Sequence, residues 1–430
     1  MVFEGLFPSR DRPLWRYRPS PRLLLVPAER PGLGPRERGQ MIPEKFRHDA
    51  TLLAFFTLES AQRARGTTIS QKNSAMTLFS DKPSSCTQLT LYLPGILSAR
   101  GNDYKAMGMY RALETLLTRA EQKPQAGGPT GPEHDLFRLF GLEQEENTDL
   151  PVAAVSRMHD MGVIDNDWWL CADPVHLSLE HDHLILADAR KLDIAPDEAD
   201  RLVTEIMEVF TADGWLLKAP RPDRWYLKLA RAPKMTTTLL SQVIGRDVHP
   251  FLPRGPDGMA WHTTLNEIQI LLHTTAVNAE REKNGKLPIN SLWFWGGGHL
   301  PRIQPVSWTR IWSKEPISLS LARLSGTPSE NTPDRFDDWR KQAGRPGEYL
   351  VVLDDAQHAA LYADAPGWSS ALQRLERDWM MPLLQALKSN AIANATLITD
   401  TGMSFSLTSR QARRWWRFRR PLTAYLMAPS

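Results

Sequence analysis

The apolar positions along the chain change their period several times, and each change predicts an element. Leu89-Thr90-Leu91-Tyr92-Leu93 is a β-prone run closed by Pro94-Gly95, which reads as a strand entering a turn. A helical period follows over 104–120, then a Gly/Pro-rich loop over 122–134. Alternation of apolar and polar residues over 175–186 predicts a strand. Pro196-Asp197-Glu198-Ala199 opens an amphipathic helix reaching about Phe210, with two carboxylates in the first turn where the helix dipole favours them. Trp215-Leu216-Leu217 and Trp225-Tyr226-Leu227 read as the two arms of a strand pair. A Pro- and Gly-rich loop over 250–258 precedes a helix over 263–283, and strands are predicted at 291–295, 349–353 and 395–399. Strands and helices that alternate in this way indicate an α/β fold with a largely parallel sheet. No internal repeat occurs.

Composition narrows the class without choosing a function. The chain has 430 residues, 42% hydrophobic and 23% charged, which excludes collagen-like and wholly disordered proteins. Two cysteines, Cys86 and Cys171, exclude a disulfide framework and a four-cysteine zinc site. No apolar run reaches membrane-spanning length, and a cytoplasmic protein without a membrane partner is expected. The net charge of +3 is unevenly spread. Residues 1–75 hold 13 basic and 7 acidic side chains with eight prolines; the rest holds 39 and 42. Such a leader is expected to be disordered and dispensable, or untranslated if initiation falls at Met76; an RNA- or membrane-surface arm is the sharper, less favoured reading. One α/β unit over 76–430 is expected, with a cap-like insertion at roughly 172–262.

Five stretches hold residues suited to chemistry. Trp293-Phe294-Trp295-Gly296-Gly297-Gly298-His299-Leu300-Pro301 puts three glycines after a strand, allowing either close approach to a ligand or a tight packing turn. It lacks the Lys-Ser/Thr of a phosphate-binding loop and the spacing of a dinucleotide fingerprint. In Asp173-Pro174-Val175-His176 through Glu180-His181-Asp182-His183, alternate strand residues would let His181 and His183 share a metal; a polar hairpin tip is the plainer reading. Leu397-Ile398-Thr399-Asp400 and Leu350-Val351-Val352-Leu353-Asp354-Asp355 each end a buried strand in carboxylates, with His358 one turn beyond. Strand ends of that kind hold metals in phosphoryl-transfer enzymes and serve equally often as caps. Arg413-Arg414-Trp415-Trp416-Arg417-Phe418-Arg419-Arg420 interleaves cations and aromatics as nucleic-acid binders do. A terminal helix with packed tryptophans is favoured over that, because the body is acidic overall.

Several of these pieces line up in order with a known family. Leu272-His273-Thr274-Thr275-Ala276-Val277-Asn278-Ala279-Glu280-Arg281, Gly285-Lys286-Leu287-Pro288-Ile289-Asn290 and Gly296-Gly297-Gly298 resemble the H-P-V-N-x-x-R, G-K-x-P-A-N and R-G-A-G run of archaeal-type, cofactor-independent phosphoglycerate mutases in the alkaline phosphatase superfamily. Asp188 and Arg190 match that family's D-R-R-A-G-R turn. Asp400-Thr401-Gly402 resembles the superfamily's Asp-His-Gly, and Leu89 to Gly95 its opening strand. The Trp-Phe-Trp-Gly-Gly-Gly-His-Leu-Pro block and Ala172-Asp173-Pro174-Val175-His176-Leu177 resemble more closely a proteobacterial branch called RpfE-type regulatory proteins. The resemblance implies an alkaline-phosphatase-like, mostly parallel sheet flanked by helices, with a smaller α+β cap. It also implies anion contacts from Asn278, Arg281, Asn290, Gly296, Gly297, Gly298, Asp188 and Arg190, either as ligand contacts or as braces of the sheet.

The departures from that family bear directly on chemistry. Pro94 stands where the first metal-binding aspartate is expected, and Pro132 where the nucleophilic serine is expected. Thr401 replaces the histidine of Asp-His-Gly, Cys171 an arginine that binds phosphate, and Trp295 the arginine of R-G-A-G. Ser98 and Thr130 are neighbouring hydroxyls. The family reaction uses two cations to activate the serine and to stabilise phosphoryl charge. A degenerate member is therefore expected, without metal, that regulates or binds a small anion such as a phosphoglycerate; nucleic acid is disfavoured. The rival reading is an active Mn²⁺- or Mg²⁺-dependent mutase or phosphatase. Its ligands would come from Asp354, Asp355, His358, His299 and Asp400, with Asp173 and His176 as further candidates.

Overall fold

Alternate residues of the strands enter different cores, which is what the period-2 pattern requires of sheets buried on both faces. The computed structural model describes residues 87–98, 108–125 and 128–426. They belong to a compact unit spanning Leu78–Ser430, and the expectations for residues 1–75 lie outside the described residues. Twelve strands are present among the described residues: β1 Gln88–Tyr92, β2 Glu121–Pro124, β3 Trp169–Glu180, β4 His183–Ala187, β5 Leu216–Arg221, β6 Arg224–Lys228, β7 Ser291–Gly298, β8 Arg310–Trp312, β9 Ser329–Glu330, β10 Glu348–Val352, β11 Asn394–Ile398 and β12 Met403–Thr408.

Seven of them form one sheet in the order β2-β12-β11-β1-β10-β8-β9. The central pairs β11-β1, β1-β10 and β10-β8 are parallel, as is β8-β9; β12 and β2 add antiparallel strands at one edge. The mostly parallel α/β architecture is therefore present. The remaining five strands form a second, antiparallel sheet, β4-β3-β6-β5 with β7 on β3. The segment expected as a cap, 172–262, lies within the stretch that builds this sheet.

Three cores separate the layers. Leu89 and Leu91 of β1 with Tyr349 and Val351 of β10 face the helices Arg111–Arg119, Ala365–Leu375 and Met381–Lys388. Tyr92, Leu350 and Val352 point the other way, towards Trp169, Cys171, Tyr226, Trp293 and Trp295 of the second sheet. The in-between strand residues, Leu170, Ala172, Trp225, Leu227, Leu292 and Phe294, meet the outer helices Pro196–Phe210, Gly258–His273 and Ala276–Lys283. Each large side chain buried in this way contributes roughly 1.5–3 kcal/mol.

Local outcomes differ from the sequence reading in five places. The strand expected over 175–186 is a hairpin of β3 and β4 that turns at His181 and Asp182. The expected helix over 263–283 is two helices, because Thr275 caps a new one: its hydroxyl accepts from the Asn278 amide at 3.3 Å and donates to the Leu272 carbonyl at 3.0 Å. The helix expected over 104–120 runs from Arg111 to Arg119, and 104–107 lie outside the described residues. The loop expected over 122–134 contributes β2 and the start of the helix Pro132–Leu139. The tail at 413–420 is not a helix with packed tryptophans: Trp415 is 80% and Trp416 59% exposed.

Candidate functional site

The middle layer leaves a cavity of about 380 Å³ between the carboxyl ends of the parallel strands and the inner face of the second sheet. Crevices at the carboxyl edge of a parallel sheet are where α/β proteins bind ligands. From the parallel sheet come Tyr92 at the end of β1 and Pro94 beyond it, Lys314 and Glu315 after β8, and Val352 and Asp354 at the end of β10. From the second sheet come Cys171, Asp173, Arg224, Tyr226 and Trp295, with Asp188 and Arg190 from the turn after β4.

Both prolines singled out in the sequence lie on this one cavity. The turn Pro94-Gly95 has no freedom to change: Gly95 has φ +83°, and a Cβ there would sit 2.5 Å from the Gln357 Cα. Pro132 occupies the first turn of the helix Pro132–Leu139, where its missing N–H costs nothing, and its carbonyl accepts from the Tyr92 hydroxyl at 3.2 Å. Neither proline offers a carboxylate or a hydroxyl.

Carboxyl groups crowd the cavity and its border, and burial raises their pKa values. Asp173, fully enclosed, is pushed up to about 7 even though it accepts from the Trp225 amide at 3.0 Å and the Trp295 indole at 2.8 Å. Glu315 rises to about 7 by burial although the amides of Ile317 and Ser318 pull it down, and nearby Asp354 adds to the rise. Asp135 also reaches about 7, by burial against the pull of Arg138, with Asp400 adding to the rise. Burial raises Glu133 against the pull of the Ser241 hydroxyl, and raises Asp354 with help from Asp355. The thiol of Cys171 is pushed well up by burial, so it is inert as a nucleophile.

The cations of the cavity differ in their commitments. Arg224 holds Asp160 in a two-pronged ion pair, Arg221 pairs with Asp223 at 3.2 Å, and Lys314 with Asp334 at 3.3 Å. Arg190 makes no hydrogen bond or ion pair among the described residues and stands exposed at the cavity wall. Its turn is fixed through its neighbour: the Tyr362 hydroxyl donates to the Asp188 carboxylate at 2.7 Å and accepts from the Asp188 amide at 2.8 Å. With several carboxyls carried towards neutrality, the pocket presents one uncommitted guanidinium and several groups able to donate to an anion.

The other expected ligand contacts are placed elsewhere. Arg281 is fully buried; it donates to Glu198 at 2.6 Å, to the Leu287 carbonyl at 2.9 Å and to the Leu192 carbonyl. Asn278 ties Leu272 to Ile289 through three hydrogen bonds, and Asn290 clamps both backbone groups of Leu177. The three glycines let β7 approach other backbone and rings. A Cβ on Gly297 would lie 2.5 Å from the Trp168 ring, and one on Gly298 2.6 Å from Pro151. Gly297, Gly298 and His299 line a second, wider cleft of about 1270 Å³.

The metal candidates do not converge. His299 hydrogen-bonds the Asn166 carbonyl and lies on the second cleft, away from Asp354 on the first. Asp400 accepts from the Ser98 hydroxyl at 2.7 Å. His358 packs beside Tyr362 with ring centroids 4.8 Å apart. Asp355 lines a small recess with Asp354, and His176 bonds the Pro288 carbonyl. His181 and His183 do not share a strand face: Glu180 pairs with His183, leaving His181 in the two-residue turn with φ +55°. Among the described residues, no three His, Cys, Asp or Glu side chains form a group that could hold a metal.

The basic wall from Arg221 and Arg224, buried Glu133 and half-buried Glu315 carry no signal that the sequence reading used. A Glu directly before Pro316, at a helix start, was the one available signal, since such a carboxylate caps the helix.

The fold and its pocket define an α/β protein with a ligand-sized crevice at the carboxyl edge of its parallel sheet. In sequence it is similar to 2,3-bisphosphoglycerate-independent phosphoglycerate mutases. It is 29% identical over 82 residues to that of Methanosarcina mazei, covering 19% of this chain and 20% of the relative. It is 34% identical over 62 residues to that of Methanosarcina acetivorans, covering 14% and 16%. A probable mutase of Geobacter sulfurreducens matches at 27% over 181 residues, covering 41% and 45%. The chain thus spans less than half the length of each of these curated relatives. No family model matches. Two solved structures resemble 75% of the chain: a cofactor-independent phosphoglycerate mutase of Thermoplasma acidophilum (16% identity, TM-score 0.38, 90% of that chain) and a protein of Pyrococcus horikoshii (12%, 0.45, 88%). At those values neither likeness bears on function.

Proposed function

We propose that this chain is a phosphoglycerate-mutase-like protein of the RpfE-type branch that binds a small phosphorylated acid without transferring its phosphoryl group, in a regulatory role. The observation that carries this reading is the pairing of Pro94 and Pro132 on one cavity that keeps Arg190. By the resemblance, they stand where the mutase reaction needs an aspartate and a serine, and neither proline can ligate a cation or attack phosphorus. Loss of the metal-activated nucleophile removes a stabilisation of several kcal/mol that no other cavity residue supplies. Arg190 is the anion anchor in this reading. Glu315, carried to about 7 by burial, donates to the ligand's oxygens when protonated, and Asp188 holds the anchoring turn. Asn278, Arg281 and Asn290 brace the outer layer.

One observation favours the rival, an active metal-dependent mutase or phosphatase. The Ser98 hydroxyl is held 2.7 Å from Asp400, the aspartate of the Asp-His-Gly-like turn, as a nucleophile beside a ligand would be. Turnover of 3-phosphoglycerate with added Mn²⁺, alongside metal analysis of the purified protein, separates the two. The degenerate reading expects no 2-phosphoglycerate and no stoichiometric metal. Two tightly bound equivalents, with turnover abolished by Asp400→Ala or Ser98→Ala, would replace it with the rival.

A further inference from the structure

The last thirty residues, 401–430, contain six arginines and no acidic residue, whereas 76–400 contain 33 basic and 42 acidic side chains. The folded unit is therefore electrically polarised along its sequence. Its basic end displays a cluster the cavity does not use. Trp415, Trp416 and Phe418 are 80%, 59% and 89% exposed, an arrangement that leaves large apolar area in water.

This loop is fixed to one helix of the body, Arg111–Arg119. Arg419 pairs with buried Glu114 at 3.2 Å, and the Leu422 amide donates to the same carboxylate at 3.0 Å. Arg417 donates to the Thr118 carbonyl at 3.3 Å, and the Arg420 amide to the Thr118 hydroxyl at 3.0 Å. The guanidinium groups of Arg413, Arg414 and Arg420 make no hydrogen bond or ion pair among the described residues. The fold thus spends interactions on holding a short segment whose aromatic rings and free cations point outward.

We propose that residues 413–420 form a peripheral docking surface for an anionic lipid bilayer. Three side chains are so exposed within four positions, and no residue from 413–420 lines either of the two large clefts. Rings outside any cleft suit a flat surface; single strands of nucleic acid are gripped in basic grooves that track the backbone. Trp and Phe settle at the headgroup level of a bilayer, and each arginine nearby adds attraction to anionic lipid. The acidic remainder of the unit is repelled by the same surface, which orients the loop towards it. Binding is reversible, because one loop of this size inserts no spanning element. The proposal revises the expectation of no membrane partner, which rested on the lack of a spanning segment; among the described residues no helix is long and apolar enough to cross a membrane.

Co-sedimentation of the full chain with large vesicles tests this, using phosphatidylcholine alone and an equal mixture with phosphatidylglycerol. The chain is expected to pellet with the mixed vesicles and to stay in solution with the neutral ones. Arg413→Glu, Arg414→Glu and Arg420→Glu together should weaken the binding on the order of a hundredfold, and raising salt should weaken it further. A second variant, Trp415→Ser with Trp416→Ser and Phe418→Ser, should lose binding while its circular dichroism is unchanged, since the three rings are exposed. Equal pelleting with both vesicle types, or binding indifferent to both variants, overturns the proposal. So does absence of vesicle binding together with tight binding of an oligothymidylate that the arginine variant abolishes; that result makes the loop a nucleic-acid surface.

Discussion

Arg281 and Arg190 both lie in segments that resemble the same family, yet their surroundings are opposite. Arg281 is enclosed, with Glu198 and two carbonyls around it, in the stretch from Leu272 to Gly298 where the resemblance is most specific. Arg190 stands uncommitted on the cavity that Pro94 and Pro132 also line. Within that stretch, Asn278, Arg281 and Asn290 hold the outer layer together rather than line the cavity. A segment can match a family of enzymes closely because it builds their scaffold, and that match carries little information about turnover.

The largest effect that would sharpen this contrast is on stability. Arg281→Ala leaves Glu198 and the carbonyls of Leu192 and Leu287 without their shared donor in a dry site. A loss of about 3–5 kcal/mol in urea unfolding is expected. A change below about 1 kcal/mol would remove the bracing role. Asn278→Ala, which strips three hydrogen bonds between Leu272 and Ile289, should cost roughly 2–4 kcal/mol by the same measurement.

Arg190→Ala should behave in the reverse manner. Unfolding should shift by no more than about 0.5 kcal/mol, because the side chain is exposed and unpaired. Binding of 3-phosphoglycerate, read by calorimetry, should weaken about ten- to a hundredfold through loss of a charge-assisted contact. Unaltered affinity in this variant would move the anion site elsewhere.

A further contrast is the pH dependence. Glu315 and Asp173 have folded pKa values raised to about 7 from 4.5 and 3.8, so folding takes up protons on them. The stability they allow is fully present below about pH 4 and is lost as pH rises through about 7. Urea midpoints should therefore fall between pH 5 and pH 8, and Glu315→Gln should flatten that slope. A slope of opposite sign over this window contradicts the burial of these groups. Binding of sulfate, whose charge is constant over the same range, should strengthen as pH falls from 8 to 6.

Elements with a strong local signature were legible in the sequence. Pro196 followed by Asp197 and Glu198 marks a helix start, and the helix runs Pro196–Phe210. The run Leu89 to Leu93 gives β1, and the arms around Trp215 and Trp225 give β5 and β6. What failed depended on partners far along the chain. The break at Thr275 hides inside a continuous apolar period, and a mid-helix threonine is ordinary until its hydroxyl finds the Asn278 amide. The wide exposure of Trp415 and Trp416 runs against the usual fate of tryptophan. Within the site, Asp188 and Arg190 came from the resemblance and do meet on the cavity. The metal candidates were chosen as strand-end carboxylates and scattered histidines. Their geometry depends on which strands are neighbours, and residue types alone do not encode that.

The central claim is that the cavity keeps an anion site and has lost the reaction. The most direct test is a single incubation of the protein with 3-phosphoglycerate and Mn²⁺, followed by phosphorus NMR of the bound and released ligand. Saturable binding that Arg190→Ala weakens, with the ligand recovered unchanged after many hours, is the predicted result. Appearance of 2-phosphoglycerate or free phosphate in proportion to protein, and its loss in Ser98→Ala, would contradict it.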